Sequence, residues 1–324
     1  MIIAIHTGLF PTVLYPWLRA AVPLFFILSS YHLFSRLHTA KQDEKRGILW
    51  RFIKRNLCFY LFWFIVLAPI TFYCAHFFDG GIVKGILSLL QHTLFASTFF
   101  SSWFIAALVI GTIIVYYASA VIHWKGLLAA ALVIYALVCF RSSYWHFVPK
   151  GSFLIPAAKA YVRVFTEPYK SFPAAILWIV IGKMFAESKI ELSKVKSFLL
   201  LALGMVLLYA EWLVVKKTGG EARNDCYFML LPFCVGVFSV IKLFESKSFA
   251  HDTRNIRKAS AITYASHGSI ATVISAITNS LFHVNAYNHA VFLFIITAFL
   301  SILLSAALIL LSRRKFFAFL KYAY

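Results

Sequence analysis

The sequence has few charged residues and few cysteines, and each shortage excludes a class of protein. Charged residues make up 13% of the 324 residues, and 62% are hydrophobic. Soluble domains carry about 25% charged residues. So much apolar surface does not fit inside one soluble core, and the sequence therefore predicts an integral membrane protein. The five cysteines form no Cys-x-x-Cys pair and have no histidine at zinc spacing, so neither a metal site nor a disulfide framework is expected.

Acidic residues are also scarce, with 11 Asp and Glu against 31 Lys and Arg. The basic residues occur in short clusters between apolar segments, which is typical of segments that face an anionic membrane surface. A groove for a nucleic-acid backbone would gather them on one continuous surface. We therefore expect the lipid bilayer, and no nucleic acid, as a partner. The sequence also has no Walker loop, Rossmann fingerprint or nucleophile elbow.

The apolar segments predict an all-α polytopic bundle of about ten transmembrane helices, in a single domain over residues 1–324. The first segment, Met1 to about Leu9, is too short to cross about 30 Å of hydrocarbon, and we expect it to be the second half of a truncated helix. Nine full spans follow: Leu18–Arg36, Leu57–Phe77, Ser102–Val121, Gly126–Phe140, Phe172–Ala186, Ser197–Val215, Tyr227–Phe244, Ile262–Phe282 and His289–Leu311.

Lys and Arg are distributed unequally between the two sides of this predicted topology, in a ratio of roughly two to one. The excess predicts that residues 36–55 form a basic loop and that this loop and the C-terminus face the cytoplasm, in a multi-pass protein of the inner (plasma) membrane. Residues 1–16 have no basic region followed by a small-residue cleavage site, so a removable signal peptide is not expected.

Four segments carry motifs, and they occur in a definite order. Val22 to Tyr31 reads Val-Pro-Leu-Phe-Phe-Ile-Leu-Ser-Ser-Tyr, with His6 upstream of it. Ser102 to Leu108 reads Ser-Trp-Phe-Ile-Ala-Ala-Leu, and a Phe-Pro pair at 172–173 precedes a Gly-Lys-Met run at 182–184. Near the end, Ser-x-x-x-Tyr-x-x-His covers residues 260–267. In this order the motifs resemble those of the acyltransferase family 3 membrane proteins.

The resemblance implies a membrane enzyme that transfers an acyl group, usually acetyl, from cytoplasmic acyl-CoA to a cell-surface glycan or a lipid-linked sugar. It implies acetyl-CoA or another acyl-CoA as co-substrate and no bound cofactor. In that family the first-helix histidine lies ten residues after an arginine, and position 6 leaves no room for one. Either the true start lies upstream of Met1, or this protein has lost part of the site.

His6 is the predicted general base, because ionisable side chains within membrane helices are by default functional candidates. An alternative is a structural histidine bonded to a neighbouring helix. On the spacing of its span, His267 lies only about 7 to 8 Å deep, with His6 deeper. Glu211 is predicted to pair with a cation, orient an imidazole or reach water. The possible supporting residues are Ser29, Tyr31, Glu211, Tyr264 and His267.

The predicted acyl-CoA site is the basic run Arg51, Lys54 and Arg55, which could also serve only as a topological anchor. For Ser29 and its neighbour Ser30, packing between helices is the principal alternative to a role in the site.

The predicted acceptor side comprises Trp103, Arg163 and Glu167. Trp103 could equally be an interfacial tryptophan. Arg163 and Glu167, at i and i+4, could face an acceptor or pair with each other.

Two further hypotheses compete with the enzyme. One is a proton-coupled transporter or flippase that uses His6, Glu211 and His267 as a proton relay. The other is a catalytically inactive relative that acts as an assembly partner.

Overall fold

The structure is a computed structural model that describes residues 1–9, 14–100, 102–219, 225–245 and 253–324. These residues form α-helices and short 3-10 helices, with no strand among them, so the all-α prediction is confirmed. The α-helices are Ile2–Thr7 (α1), Tyr15–Leu18 (α2), Ala21–Thr39 (α3), Gln42–Ala75 (α4), Ile82–Phe95 (α5), Trp103–Val121 (α6), Trp124–Ser142 (α7), Leu154–Phe165 (α8), Phe172–Ala186 (α9), Lys194–Lys217 (α10), Leu230–Lys242 (α11), Arg254–Phe282 (α12) and Ala290–Leu311 (α13). The 3-10 helices are Trp145–Phe147, Pro168–Lys170, Ala286–His289 and Lys315–Ala323.

Among the described residues, six helices are long and apolar enough to cross a membrane. They are Tyr15–Thr39, Gln42–Cys74, Trp103–Val121, Trp124–Ser142, Lys194–Lys217 and Ala286–Leu311. A seventh span results if Leu154–Lys170 and Phe172–Ala186, which meet at a bend of 44°, are counted together. The chain is therefore a multi-pass membrane protein, but the predicted number of ten helices is not confirmed. One reason is that α11 has only 13 residues, or roughly 20 Å, which is short of the hydrocarbon thickness.

The basic segment 36–55 is helical rather than a loop, which corrects the prediction. Only Ala40 and Lys41 separate α3 from α4. Helix α4 has 34 residues and is therefore roughly 51 Å long, more than the roughly 30 Å of a hydrocarbon core. Part of α4 must therefore extend beyond the bilayer, and its first turns carry the cations.

Helix α9 lies at the centre of the bundle, packed against α3, α6 and α7. Twelve of its 15 residues are buried. At Gly182 a Cβ atom would lie 2.0 Å from the Ser30 hydroxyl oxygen and 2.5 Å from the Ile27 carbonyl oxygen on α3. Only glycine allows so close an approach of two helices. The Ser30 hydroxyl donates to the Phe26 carbonyl at 2.7 Å, so it is satisfied within its own helix.

We predict that Gly182→Ala lowers the apparent melting temperature of the purified protein, because the added methyl group has no space between α3 and α9. Overpacking of this kind typically destabilises a protein by about 1–3 kcal/mol. Gly47→Ala is the matched control, because its Cβ would meet only the end of the Arg51 side chain, at 3.5 Å. Thermal unfolding in detergent gives the melting temperatures of the two variants. Equal melting temperatures for the two variants would contradict the packing described for α9.

Candidate active site

A cavity of about 690 Å³ lies where five helices begin. The first turns of α3, α6, α9, α11 and α13 contribute Val22, Trp103, Ala174, Leu230 and Ala290 to its wall. His6 lines the same wall from α1. Because all five helices start there, the cavity lies at one end of the bundle, which we call the cavity end.

The short helix α1 holds His6 against two other helices. It packs on α12 and α13 and ends at Gly8, whose left-handed conformation (φ 71°) lets its N–H group bond back to the Ala4 carbonyl. The ring centroid of His6 lies 4.7 Å from that of Phe100, edge to face, and 5.3 Å from that of His267. A Cβ at position 268 would collide with the Phe100 ring at 1.8 Å. Gly268 therefore makes the room that brings Phe100 and the two imidazoles together.

The His267 side chain is held in one tautomer by its own helix. Its Nδ1 lies 2.8 Å from the Tyr264 carbonyl oxygen and 3.0 Å from that of Thr263. Carbonyl oxygens only accept, so Nδ1 carries the hydrogen and Nε2 presents a lone pair. Nε2 is buried and has no hydrogen-bond partner among the residues described. Its lone pair is therefore available to a hydrogen-bond donor.

The two imidazoles lie side by side, with ring centroids 5.3 Å apart, so the predicted separation of His6 from His267 is not found. His267 was expected near the edge of its span and His6 deeper. Helix α12 begins at Arg254 rather than at 262, so His267 lies thirteen residues in, or roughly 20 Å from the start. The cationic residues before 262 extend the helix instead of forming a loop.

Tyr264 and Trp103 belong to the same site as His6, since all three line the cavity. The Tyr264 ring lies 6.2 Å from His267 and 5.4 Å from Phe104. Trp103 is half-buried, with its ring 6.1 Å from that of Phe26. One part of the Trp103 ring therefore packs against α3, and another part is exposed at the surface.

Ser29 and Tyr31 lie away from this cavity. Ser29 is half-buried and does not line it. The Tyr31 hydroxyl donates to Glu245 at 2.6 Å, and Lys242 lies over its ring at 5.3 Å. Tyr31 is nine residues further along α3 than Val22, or roughly 13 Å. The prediction that these two residues support His6 directly therefore has no geometric basis.

Glu211 stabilises the start of α11 rather than orienting an imidazole or pairing with a cation, which corrects the prediction. Its two carboxylate oxygens accept the backbone N–H groups of Phe228 and Met229, each at 2.7 Å. The Tyr144 hydroxyl donates to the same carboxylate. Burial, and then this hydrogen bond, raise the pKa of Tyr144 well above its usual range, so the phenol keeps its proton and remains a donor.

Arg163 and Glu167 do not form the predicted pair. Glu167 instead accepts from Arg141 at 2.5 Å, and neither Arg163 nor Glu167 lines the cavity. The Arg163 carbonyl accepts from Gln91 at 2.9 Å. Glu167 directly precedes the 3-10 helix Pro168–Lys170, whose last residue lines the cavity.

The predicted acyl-CoA residues lie toward the other end of the bundle, which we call the cation end. Arg51 and Lys54 are exposed on α4. Arg55 lies close enough to Arg36 of α3 and Arg257 of α12 to interact with them electrostatically. Three helices therefore bring arginines together there, of which the sequence motif identified one.

Three charged residues of the cavity were missed by the sequence analysis: Arg19, Lys170 and Asp225. Arg19 forms an ion pair with Asp225 across 206 positions of the chain. No rule based on sequence spacing predicts a contact between residues so far apart. Each of the three, considered alone, resembles an ordinary charged residue beside a membrane span. The only available signal was their common position on the side of the predicted topology that has fewer Lys and Arg residues.

Comparison with known proteins gives one family and several distant relatives. The family model described as an acyltransferase domain matches residues 1–310. An amino-acid racemase of Enterococcus faecalis is 23% identical over 258 residues, which cover 76% of this chain and 35% of that protein. A second amino-acid racemase of that species is 21% identical over 97% of this chain and 45% of its own length. A serine/alanine racemase of Enterococcus gallinarum is 24% identical over 66% of this chain and 30% of its own length. The chain thus spans less than half the length of these relatives, and no solved structure matches it significantly.

We predict that Glu211→Ala destabilises the protein, because it leaves two backbone N–H groups and one phenol without their acceptor. Each buried polar group left unsatisfied costs about 1–3 kcal/mol. Glu211→Gln retains one acceptor oxygen and should melt between wild type and Glu211→Ala. Glu191→Ala, at an exposed position, is the control. A Glu211→Ala protein that melts like wild type would show that the carboxylate is not structural, and would return it to the list of relay candidates.

Proposed function

The chain belongs to acyltransferase family 3, and we propose that it transfers an acyl group, usually acetyl, from acyl-CoA to a hydroxyl group held in the cavity beside His6. The observation that carries the proposal is the pair of imidazoles whose ring centroids lie 5.3 Å apart, His267 buried and His6 half-buried in the cavity wall. Acyl transfer to a hydroxyl needs a base within reach of the proton that is removed.

In the proposed reaction His6 removes the proton of the acceptor hydroxyl. The oxygen then attacks the thioester carbonyl carbon and forms a carbon–oxygen bond. Collapse of the tetrahedral intermediate breaks the carbon–sulfur bond, and the CoA thiolate leaves. It takes up the proton from the His6 imidazolium, so the products are the ester and free CoA. No other reactant is required.

His267 acts as a positioning residue in this proposal. Because its Nδ1 hydrogen is directed at backbone carbonyls, its Nε2 can only accept. The centroid separation of 5.3 Å allows a ring N–H of His6 to approach that lone pair. A His6 ring that donates from one nitrogen presents a lone pair at the other, which is the form that a general base requires.

The donor enters from the cation end in this proposal. Arg36, Arg55 and Arg257 are the groups that hold the CoA phosphates there, since arginine binds phosphate with a planar, charged fork. Arg257 lies ten residues before His267 on α12, or roughly 15 Å. The extended pantetheine arm of CoA bridges a distance of this order. The excess of Lys and Arg supports a cytoplasmic position at the inner membrane for this end and for the C-terminus.

The acceptor in this proposal is a surface glycan or a lipid-linked sugar at the cavity end. The curated relatives are named amino-acid racemases, so amino acids that carry a hydroxyl group belong among the acceptors to be tested. Serine is the simplest of these.

We predict that His6→Ala lowers acyl transfer by about 10²- to 10⁴-fold, the usual effect of removing a general base. His267→Gln should keep measurable turnover, because glutamine can still accept a hydrogen bond, and His267→Ala should keep less. The assay is transfer of label from acetyl-CoA to extracted envelope glycans and to serine by the purified protein. His38→Ala, an exposed histidine at the end of α3, is the control.

Full activity in a well-folded His6→Ala protein would refute the assignment of the base. If the wild-type protein forms no CoA-dependent product and instead supports proton-driven uptake into vesicles that requires both histidines, the transporter hypothesis replaces the enzyme.

A separate prediction concerns the donor site. Arg55→Gln should raise the apparent KM for acetyl-CoA several-fold and make it less sensitive to salt, because a charged contact with phosphate is lost. Arg51→Gln, four residues earlier on the same helix and not among the cations that act on Arg55, should change the KM little. Equal effects of the two substitutions would mean that the cations act only through the general field of the basic surface.

A further inference from the structure

The described residues of the cavity wall include two cationic side chains and one carboxylate, and one of the cations is paired with that carboxylate. Arg19 donates to the Asp225 carboxylate, and the Arg19 guanidinium lies 4.3 Å from the centroid of the Tyr15 ring. Asp225 is the only carboxylate among the described residues that line the cavity. Its charge is matched by Arg19, so the described residues that line the cavity include no second carboxylate to balance another cation.

Lys170 is that second cation. Its ammonium group lies 5.7 Å from the centroid of the Tyr169 ring, and no ion pair joins it to a carboxylate in the part of the chain that the structure describes. Lys170 is exposed, as are Tyr287 and Asn288, which line the cavity with it. These three residues therefore mark the mouth of the cavity.

The two cations of the cavity lie close to the imidazole. Arg19 and Lys170 are both near enough to His6 to act on it electrostatically. A molecule bound beside His6 therefore lies within the electrostatic reach of Lys170. An anionic group on that molecule can form a charge-assisted hydrogen bond with the ammonium, which a neutral molecule cannot do.

We propose that the acceptor carries an anionic group, a carboxylate or a phosphate, which Lys170 holds at the cavity mouth while the acceptor hydroxyl lies beside His6. The inference rests on the proposed function for the role of the hydroxyl. Recognition of the anion rests only on the charges of the cavity. It narrows the acceptor class to acidic or phosphorylated sugars and to hydroxyl-bearing acids.

Binding of matched sugars to the purified full chain in detergent tests this inference without any acyl donor. The probes are methyl glucoside, glucuronate and glucose 6-phosphate, which share a pyranose ring and differ in charge. Trp103 and Trp178 line the cavity, so intrinsic tryptophan fluorescence reports occupancy. At least one anionic sugar should bind about tenfold or more tightly than the neutral one, with a preference that falls as salt is raised. The two anionic probes distinguish a carboxylate from a phosphate ligand.

The variant that tests the role of Lys170 is Lys170→Gln, which should remove the preference for the anionic sugar and leave the binding of methyl glucoside unchanged. Lys159→Gln is the control, since Lys159 is exposed on α8 and does not line the cavity. Melting temperatures close to wild type establish that both variants are folded. Equal affinities for charged and neutral sugars in wild type, or a preference that survives Lys170→Gln, would overturn the inference.

The outcome is separable from that of the proposed function. Selective binding of an anionic sugar without acetyl transfer to it would support the anion site and count against the acyltransferase reaction. Transfer only to neutral acceptors would support the reaction and overturn the anion site.

Discussion

Helix α9 is covered by other helices along most of its length, and its packing determines where the chemistry can take place. Its apolar residues contact α3, α6 and α7, and Gly182 lets the α3 backbone approach at the far end of the helix from the cavity. Ala174 and Trp178, in its first two turns, line the cavity. Helix α9 therefore supports the bundle and also forms part of the cavity wall.

In hydrocarbon a polar side chain cannot form hydrogen bonds with water, so its hydrogen-bond partner must come from the protein or from a ligand. Glu211 and Ser30 find theirs in the protein, in backbone groups, and both are structural. His267 is satisfied at Nδ1 but not at Nε2, within the described residues. His267 therefore has a buried acceptor next to His6 that its own helix does not use. This unused acceptor is the main physical reason to place acyl transfer at the imidazole pair.

The sequence was sufficient for the membrane class, the helical fold and the family, because composition, apolar runs and ordered motifs are local signals. It also identified His6, Tyr264, Trp103 and His267, which the structure brings to one region. It failed on the relative position of the two imidazoles, because their contact depends on how α1 packs against α12. It misassigned Glu211, because the N–H groups that it accepts lie seventeen and eighteen positions away on another segment. Lys170 and the Arg19–Asp225 pair were missed because their meeting depends on tertiary structure alone.

The central claim is that His6 and His267 act as a unit. A double-mutant cycle on acetyl transfer tests it most directly, with His6→Ala, His267→Ala and the double variant compared with wild type at saturating acetyl-CoA. When two residues act together in one step, the effects of their substitutions on the rate are strongly non-additive. The account predicts that the double variant is about as slow as His6→Ala alone, because a positioning residue has no effect once the base is gone. Rate losses that multiply would mean that the two imidazoles act independently, and would contradict the account.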